Sequence, residues 1–141
     1  MRFEQHSIEL TTTQPIEILN ITDPVEAFVA ETGVQNGILH VGSAHTTMGL
    51  AINEECAKLR QDMLAFFQQL VPPDRDYEHN KVASDGRPNA HSHLLSLMLP
   101  PNQSVVVKNG AMQLGNWQSI FAIELDGPRP QRKIHLTLMG V

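Results

Sequence analysis

The clearest pattern in the chain is a helical periodicity of apolar side chains over residues 55–71. Apolar positions recur three or four residues apart on one face, and polar residues such as Lys58 and Gln61 occupy the other face. This spacing is typical of an amphipathic helix that packs one side against a core. The pattern therefore predicts a long helix that ends at the Pro72-Pro73 pair.

Two shorter helices are predicted from their start and stop signals. Asp23 followed by Pro24 is a common helix start, and Gly33 is a typical residue just past a helix end. Asn89 can cap a helix that runs through Leu99. The polar segment 74–89 before it is predicted to be a loop, and loops of this length inside compact domains are often functional.

Alternating apolar and polar residues, or short apolar runs between turn signals, predict seven strands. They cover residues 3–10, 15–21, 37–44, 46–52, 104–108, 119–125 and 133–139. The first two are predicted to form a β-hairpin, since a short polar turn separates them. With the three helices, the element order ββαββααβββ predicts an α+β fold with mostly antiparallel sheets, built as a single domain over residues 1–141.

Charge and composition narrow the functional classes. The net charge is −5 at pH 7, and only Arg129, Arg132 and Lys133 bring basic residues close together. Nucleic-acid binding needs a concentrated basic face, so we expect no nucleic-acid partner. No segment has the length and apolarity of a membrane span or leader peptide, so we expect a cytoplasmic protein without a membrane partner. Cys56, the only cysteine, is expected to be a buried structural thiol.

Seven histidines are present, and four of them lie at element boundaries or beside the long loop. His45 falls between two predicted strands, and His79 lies within the loop. His91 and His93 could share a metal from a strand, but on a helix they would be rotated by about 200° from each other. The helical pattern therefore predicts that only one of this pair joins His45 and His79. Three histidines with an open position are typical of a catalytic zinc site.

Further polar residues at element ends could contribute to the same site. These candidates are Thr46, Thr47, Asn53, Glu54, Asp85, Gln118, Glu124 and Arg132. Asn53 could equally be a helix N-cap, and Glu54 could simply complement the positive end of the following helix. Arg132 could bind a phosphate or carboxylate through two hydrogen bonds, or form a salt bridge with Glu124 or Asp126.

In order and spacing, these motifs make the chain resemble the YjbQ family, often labelled secondary thiamine-phosphate synthase. The motifs that carry the resemblance are His45-Thr46-Thr47, Ile52-Asn53-Glu54, Tyr77-Glu78-His79-Asn80, Asp85, Asn89-Ala90-His91-Ser92-His93-Leu94, Gly110, Leu114-Gly115-Asn116-Trp117-Gln118, Glu124, Gly127-Pro128-Arg129 and Arg132. Together they extend over residues 37–140. The resemblance implies a YjbQ-like α+β fold, a homotrimer, and a small-molecule substrate.

The resemblance also implies roles for individual residues. His45, His79 and His93 would bind a divalent metal, with zinc expected and magnesium as the alternative if the synthase reaction operates. That reaction joins a pyrimidine diphosphate to a thiazole phosphate and releases pyrophosphate. Catalytic roles would fall to Glu54 or Asp85 as general base and to Arg132 as the group that orients an anion. Substrate contacts would come from Thr46, Thr47, Asn53, Gln118 and Glu124.

Three functional hypotheses follow from these residues. The first is a metal-assisted enzyme, either of the thiamine-phosphate synthase type or a hydrolase that activates water. The second is a non-catalytic homotrimer that binds a metal or metabolite. The third is that the polar residues only satisfy a wet interface between subunits. Catalytic turnover separates the first hypothesis from the others, and binding of any metal or ligand separates the second from the third.

Overall fold

The computed structural model describes residues 1–82 and 84–141, which form two antiparallel sheets and three α-helices. The elements are β1 (Arg2–Leu10), β2 (Glu17–Asn20), α1 (Thr22–Thr32), β3 (Asn36–Ser43), β4 (Met48–Asn53), α2 (Ala57–Leu70), a 3-10 helix (Glu78–Lys81), α3 (Ala90–Met98), β5 (Asn102–Lys108), β6 (Ala111–Met112), β7 (Ser119–Glu124) and β8 (Arg132–Gly140). The α+β prediction is confirmed.

The eight strands are divided between two sheets. One sheet has the order β1-β8-β3-β5-β6 and the other has the order β2-β7-β4. The predicted hairpin of the first two strands is wrong, because β1 pairs with β8 and β2 pairs with β7 in the other sheet. The linker between them crosses from sheet to sheet, where the Thr12 N–H donates to the Arg129 carbonyl at 2.8 Å.

The three-stranded sheet lies in the middle of the molecule. One of its faces packs against the five-stranded sheet and α1, in a core that includes Leu39, Leu50 and Leu136. The other face packs against α2 and α3, in a core that includes Phe67, Leu95 and Phe121. Because both faces are covered, the central strand β7 is an almost continuous buried run.

The helices follow the sequence pattern with two local differences. In α2 only Phe67 is fully buried, and Phe66 on the predicted apolar face is 57% exposed. Cys56 lies just before the first residue of α2 and is half-buried rather than fully buried, because the helix begins one residue after it. None of the helices in the described part of the chain has the length and apolarity needed to cross a membrane.

Candidate functional site: a histidine cleft beside two buried ion pairs

The connection between β3 and β4 carries the segment His45-Thr46-Thr47. Thr46 is exposed, whereas Thr47 is buried and its hydroxyl oxygen accepts a hydrogen bond from the Arg132 guanidinium at 2.8 Å. The Thr47 carbonyl accepts the Leu125 N–H at 3.1 Å. The turn is therefore held to the buried part of the molecule through Thr47, whereas His45 and Thr46 lie toward the surface.

The hydrogen bonds of His45 determine which of its ring nitrogens carries the proton. The Lys133 backbone N–H donates to His45 Nε2 at 3.0 Å, so Nε2 must be unprotonated. Burial and, next, the positive charge of Arg132 lower the pKa of His45 below its ordinary value. The ring is therefore neutral near pH 7 and carries its proton on Nδ1, as a hydrogen-bond donor.

Arg132 and Glu124, both predicted to contact an anion or substrate, form a buried ion pair behind this turn. Arg132 Nη2 and Nε lie 2.6 and 2.8 Å from the two Glu124 carboxylate oxygens, and the two side chains are 5% and 0% exposed. Glu124 also accepts hydrogen bonds from the Thr12 hydroxyl and the Asp126 N–H. Burial alone would raise the pKa of Glu124, but these hydrogen bonds hold it below its ordinary value. The salt-bridge alternative is the one observed.

A second ion-pair cluster surrounds Asp126. Its carboxylate accepts hydrogen bonds from Arg87, Arg129 and the side-chain amide of Asn89. Burial would raise the pKa of Asp126, but the hydrogen bonds outweigh it and lower the pKa to about 2. Asp126 is therefore a fixed negative charge to which the Asn89 amide is anchored.

Asn89 in turn orients His79. Its NH2 group donates to Asp126 Oδ2 at 2.8 Å, which leaves its carbonyl oxygen 3.1 Å from His79 Nε2. An amide oxygen can only accept, so the neutral ring of His79 carries its proton on Nε2 and has Nδ1 as its acceptor. Asn89 precedes α3 but makes no side-chain cap, and Asn80 Oδ1 accepts the Ala90 N–H instead.

His93 is the residue that links the other two histidines. Its ring centroid lies 4.8 Å from that of His79, and the two rings meet edge to face. It lines one cavity of about 360 Å³ with His79 and Tyr77, and another of about 540 Å³ with His45 and Thr46. We call these two neighbouring cavities, which share His93 and Leu94, the histidine cleft; His45 lines one of them and His79 the other. His91, the other member of the pair, lines a different cavity with Pro15 and Pro88.

The three histidines of the predicted metal set differ in whether this geometry leaves them able to bind an ion. No three His, Cys, Asp or Glu side chains within residues 1–82 and 84–141 converge on a point that could hold a metal ion. His45 does not fit as a ligand, because the Lys133 N–H occupies Nε2 and the proton occupies Nδ1. The ring centroids of His79 and His93, 4.8 Å apart, have the spacing of two imidazoles on one tetrahedral ion, roughly 5 Å.

Four other predicted site residues lie outside both cavities that His93 lines. Asn53 is exposed and accepts the Glu54 N–H through its own side chain, and Glu54 is half-buried beside it. Exposed Asp85 accepts the Arg87 N–H at 3.0 Å, and exposed Gln118 accepts the Gly115 N–H at 2.7 Å. The side chains of Asn53, Asp85 and Gln118 therefore each stabilise a local turn.

The sequence reasoning missed two residues that shape the cleft, Asn89 as the partner of His79 and Asp126 as its anchor. The sequence predicts a helix cap at Asn89, because Asn before an apolar helical run is usually one. Asp126 was considered only as a salt-bridge partner of Arg132. One signal was available, since Asp126 is an acidic residue among Arg129, Arg132 and Lys133 at the end of a buried strand.

Comparison with known proteins identifies relatives along nearly the whole chain. The family model described as UPF0047 protein YjbQ-like matches residues 6–141. A UPF0047 protein of Methanothermobacter thermautotrophicus is 39% identical over 140 residues, covering 99% of this chain and 94% of that protein. The UPF0047 protein YugU of Bacillus subtilis is 34% identical over 135 residues, covering 95% and 98%.

Solved structures show the same fold. A YbjQ-like protein of unknown function from Sulfolobus solfataricus has a TM-score of 0.94 at 34% identity and covers 99% of both chains. A hypothetical protein from Aeropyrum pernix has a TM-score of 0.92 at 33% identity, covering 98% of this chain and 99% of that chain. These matches confirm the resemblance seen in the sequence motifs, and the chain belongs to the YjbQ (UPF0047) family.

Proposed function

We propose that this protein is a small-molecule enzyme whose reacting groups are His79 and His93. The observation that carries the proposal is the hydrogen-bond chain from Asp126 through Asn89 to His79, which leaves Nδ1 of an exposed histidine unprotonated beside a second imidazole. A histidine whose other ring N–H donates to a fixed acceptor is a common arrangement for a general base or a metal ligand.

His45 has a different role in this proposal. With its proton on Nδ1, its neutral ring donates a hydrogen bond to a substrate oxygen, and the exposed Thr46 hydroxyl lies beside it in the same cavity. A neutral imidazole can polarise a carbonyl or phosphoryl oxygen while a second group removes a proton. His93, which lines both cavities, is placed to contact the substrate between these two ends.

The proposal keeps the expected divalent metal but gives it two histidine ligands instead of three. His79 through Nδ1 and His93 are the residues that would hold zinc, and magnesium is the alternative if the synthase reaction operates. A bound ion would supply Lewis-acid chemistry to the substrate oxygen. Whether or not an ion is bound, Asn89 selects the tautomer of the neutral His79 ring in which Nδ1 is the acceptor, and His45 provides the hydrogen bond at the other end of the cleft.

Thiamine-phosphate synthase activity, implied by the resemblance, is the first reaction to assay. Its transition state places negative charge on a departing pyrophosphate, which basic groups or a metal must stabilise. The nearby arginines are already committed to carboxylates, Arg132 to Glu124 and both Arg87 and Arg129 to Asp126. Without a metal, the geometry therefore favours acid–base chemistry on a less charged molecule over diphosphate handling.

A homotrimer is the assembly we propose, built on the outer face of the five-stranded sheet. Four apolar side chains form a row across neighbouring strands on that face: Phe3 pairs with Met139, Met139 with Ile38, and Ile38 with Val106. Each is between 44% and 60% exposed in the single chain. A contiguous apolar surface of this kind is typical of an interface between subunits.

Turnover by matched variants tests the enzyme proposal against the non-catalytic binding alternative. The wild type, His79→Ala, His93→Ala and the control His135→Ala would be assayed with the pyrimidine diphosphate and thiazole phosphate, and with a panel of small esters, lactones and phosphoesters, with and without zinc or magnesium. We expect turnover that falls at least about a hundredfold in the first two variants and is retained in the control. Equal turnover in all four proteins, or none with any substrate, would contradict it.

A further inference from the structure

The part of the histidine cleft that holds His45 has an apolar wall. The cavity has a volume of about 540 Å³, and beside His45, Thr46, His93 and Ser96 it is lined by Leu94, Leu97, Leu99, Pro100 and Pro101. The Ser96 hydroxyl is occupied, since it donates to the Met48 carbonyl. Cavities of roughly 300–1,000 Å³ with apolar walls and a few polar groups are typical of small-molecule sites. The polar groups of this cavity are therefore concentrated at its histidine end.

The apolar wall is held in place by the backbone of the segment after α3. The Pro100 carbonyl accepts the Leu50 N–H at 2.9 Å, and the Pro101 carbonyl accepts the Ser43 N–H at 2.8 Å. These two hydrogen bonds tie the wall to β4 and to the end of β3. The wall is therefore formed before a ligand binds, so little conformational entropy is lost when an apolar group contacts it.

The charge of the lining residues disfavours an anionic substrate. Within residues 1–82 and 84–141, no Arg or Lys lines either cavity of the histidine cleft, and Glu78 is the only acidic lining residue. Glu78 is itself paired with Lys81 at 3.0 Å. An anion that left water for this cleft would gain no cationic partner from its walls, which makes its desolvation costly. The Nδ1–H of the neutral His45 ring instead suits an uncharged oxygen acceptor.

We infer that the substrate of the histidine cleft is an uncharged carbonyl compound with an apolar chain, and that Leu97 determines specificity for that chain. The inference rests on the proposed function, which makes this cleft the reacting site. The carbonyl oxygen accepts the His45 Nδ1–H, and the chain lies along the wall formed by Leu97 and Pro100. Leu97 is 81% exposed in the single chain, against 40% for Leu94, so it has more apolar surface to bury against the chain.

Primary amides of increasing chain length are suitable probes, because they are uncharged, carry one carbonyl oxygen and bind without turnover. Propanamide, butanamide, pentanamide and hexanamide would be titrated into the ¹⁵N-labelled wild type, with hexanoate as the negatively charged counterpart of hexanamide. We expect shifts of the Leu97 and Leu99 amide signals and of the His45 ring. Affinity should rise about threefold with each added methylene group, and hexanoate should bind about tenfold more weakly than hexanamide.

Three variants locate the contact. Leu97→Asn makes the wall polar at an exposed position and should remove most of the dependence on chain length. Met98→Asn is the matched control, because Met98 is a 66% exposed neighbour on α3 that lines neither cavity, and it should keep that dependence. His79 lines only the other cavity, so His79→Ala should bind the amides as the wild type does. Failure of the proposed catalysis would therefore leave this binding result unchanged.

Three results would overturn the inference. The first is equal affinity of the wild type for all four amides, or no shift at Leu97 and Leu99. The second is hexanoate binding as tightly as hexanamide, which would show that the cleft accepts an anion. The third is a chain-length dependence that persists in Leu97→Asn or is lost equally in Met98→Asn. If a second copy of the chain covers this wall instead, the first result will be accompanied by a lower sedimenting mass of Leu97→Asn.

Discussion

At the scale of single residues, the candidate site depends on side chains that lie outside it. Glu124 and Arg132 are buried behind the turn that carries His45, and Arg132 holds that turn through the Thr47 hydroxyl. Asp126 holds Asn89, which fixes His79. Two anchored carboxylates therefore position the two ends of the histidine cleft.

The buried Glu124–Arg132 pair makes a prediction about stability. Glu124→Gln leaves the Arg132 guanidinium buried without a counter-charge, so we expect the free energy of unfolding to fall by about 3–5 kcal/mol. Urea denaturation at pH 7 measures it. The matched control is Glu4→Gln, which removes an exposed ion pair with Arg2 and should change stability by less than about 1 kcal/mol. Equal effects of the two substitutions would contradict a structural role for the buried pair.

The low pKa of Asp126 predicts how stability responds to acid. Its pKa is about 2 in the folded protein, against an ordinary value of 3.8, so its ionised form contributes stability that is fully present above about pH 4. That contribution, roughly 2 kcal/mol, is lost as the pH falls from about 4 to 2. This contribution is measured by comparing the free energy of unfolding of the wild type with that of Asp126→Asn across this pH range. The difference between the two proteins should shrink as the pH drops. A difference independent of pH would show that Asp126 has an ordinary pKa.

At the scale of elements, the cleft is formed by the docking of α3 on β4. The Ser96 hydroxyl donates to the Met48 carbonyl at 2.8 Å, and the Leu50 N–H donates to the Pro100 carbonyl at 2.9 Å. Gly49 lies between these contacts, directly beneath the Leu99 side chain. This docking fixes the position of His93 in α3 relative to His45, which precedes β4.

Substituting Gly49 tests the docking. A Cβ at this position would collide with Leu99, so Gly49→Ala should cost about 1–3 kcal/mol of stability and displace α3. The NMR signals of His93 should shift with it. Gly115→Ala is the matched control, because a Cβ there would meet Gln118 Oε1 at an ordinary 3.4 Å. Unchanged stability and unchanged His93 signals in Gly49→Ala would show that α3 is held by other contacts.

The sequence predicted the elements better than their pairing. Each predicted helix and strand has a counterpart, because periodicity and turn residues act locally. The hairpin prediction failed because alternation does not say which strand is the partner, and β1 instead satisfies its backbone along the whole of β8. Strand β6 was missed although Asn109-Gly110, both with positive φ, is a typical hairpin turn.

The predicted site residues also divide into two groups, those that the structure brings close together and those that it does not. His93 in α3 shares one cavity with His45 and another with His79, whereas Gln118 and Asp85 stabilise local turns elsewhere. The direction of the hydrogen bonds to each histidine ring cannot be predicted from the sequence, since it depends on which backbone group or amide approaches the ring. For that reason the sequence predicts three equivalent metal ligands, whereas the structure distinguishes His45 from His79 and His93.

At the scale of the whole molecule, the apolar row on the outer sheet face predicts assembly. We expect the wild type to sediment at three times the 15.7 kDa chain mass. Met139→Glu places a charge in the middle of the row and should give the single-chain mass. Trp117→Glu, which changes an exposed aromatic residue outside the row, should leave the assembly intact. A monomeric wild type, or an unaffected Met139→Glu, would exclude this face as the interface.

The central claim is that Asn89, anchored by Asp126, leaves Nδ1 of His79 unprotonated beside His93. Long-range ¹⁵N–¹H NMR at pH 7.5 reads the tautomer of each histidine directly. The account predicts the Nε2–H form for His79 and the Nδ1–H form for His45, and it predicts that Asn89→Ala abolishes the preference of His79 while His45 is unchanged. An Nδ1–H form of His79 in the wild type, or the same Nε2–H preference in Asn89→Ala, would contradict it.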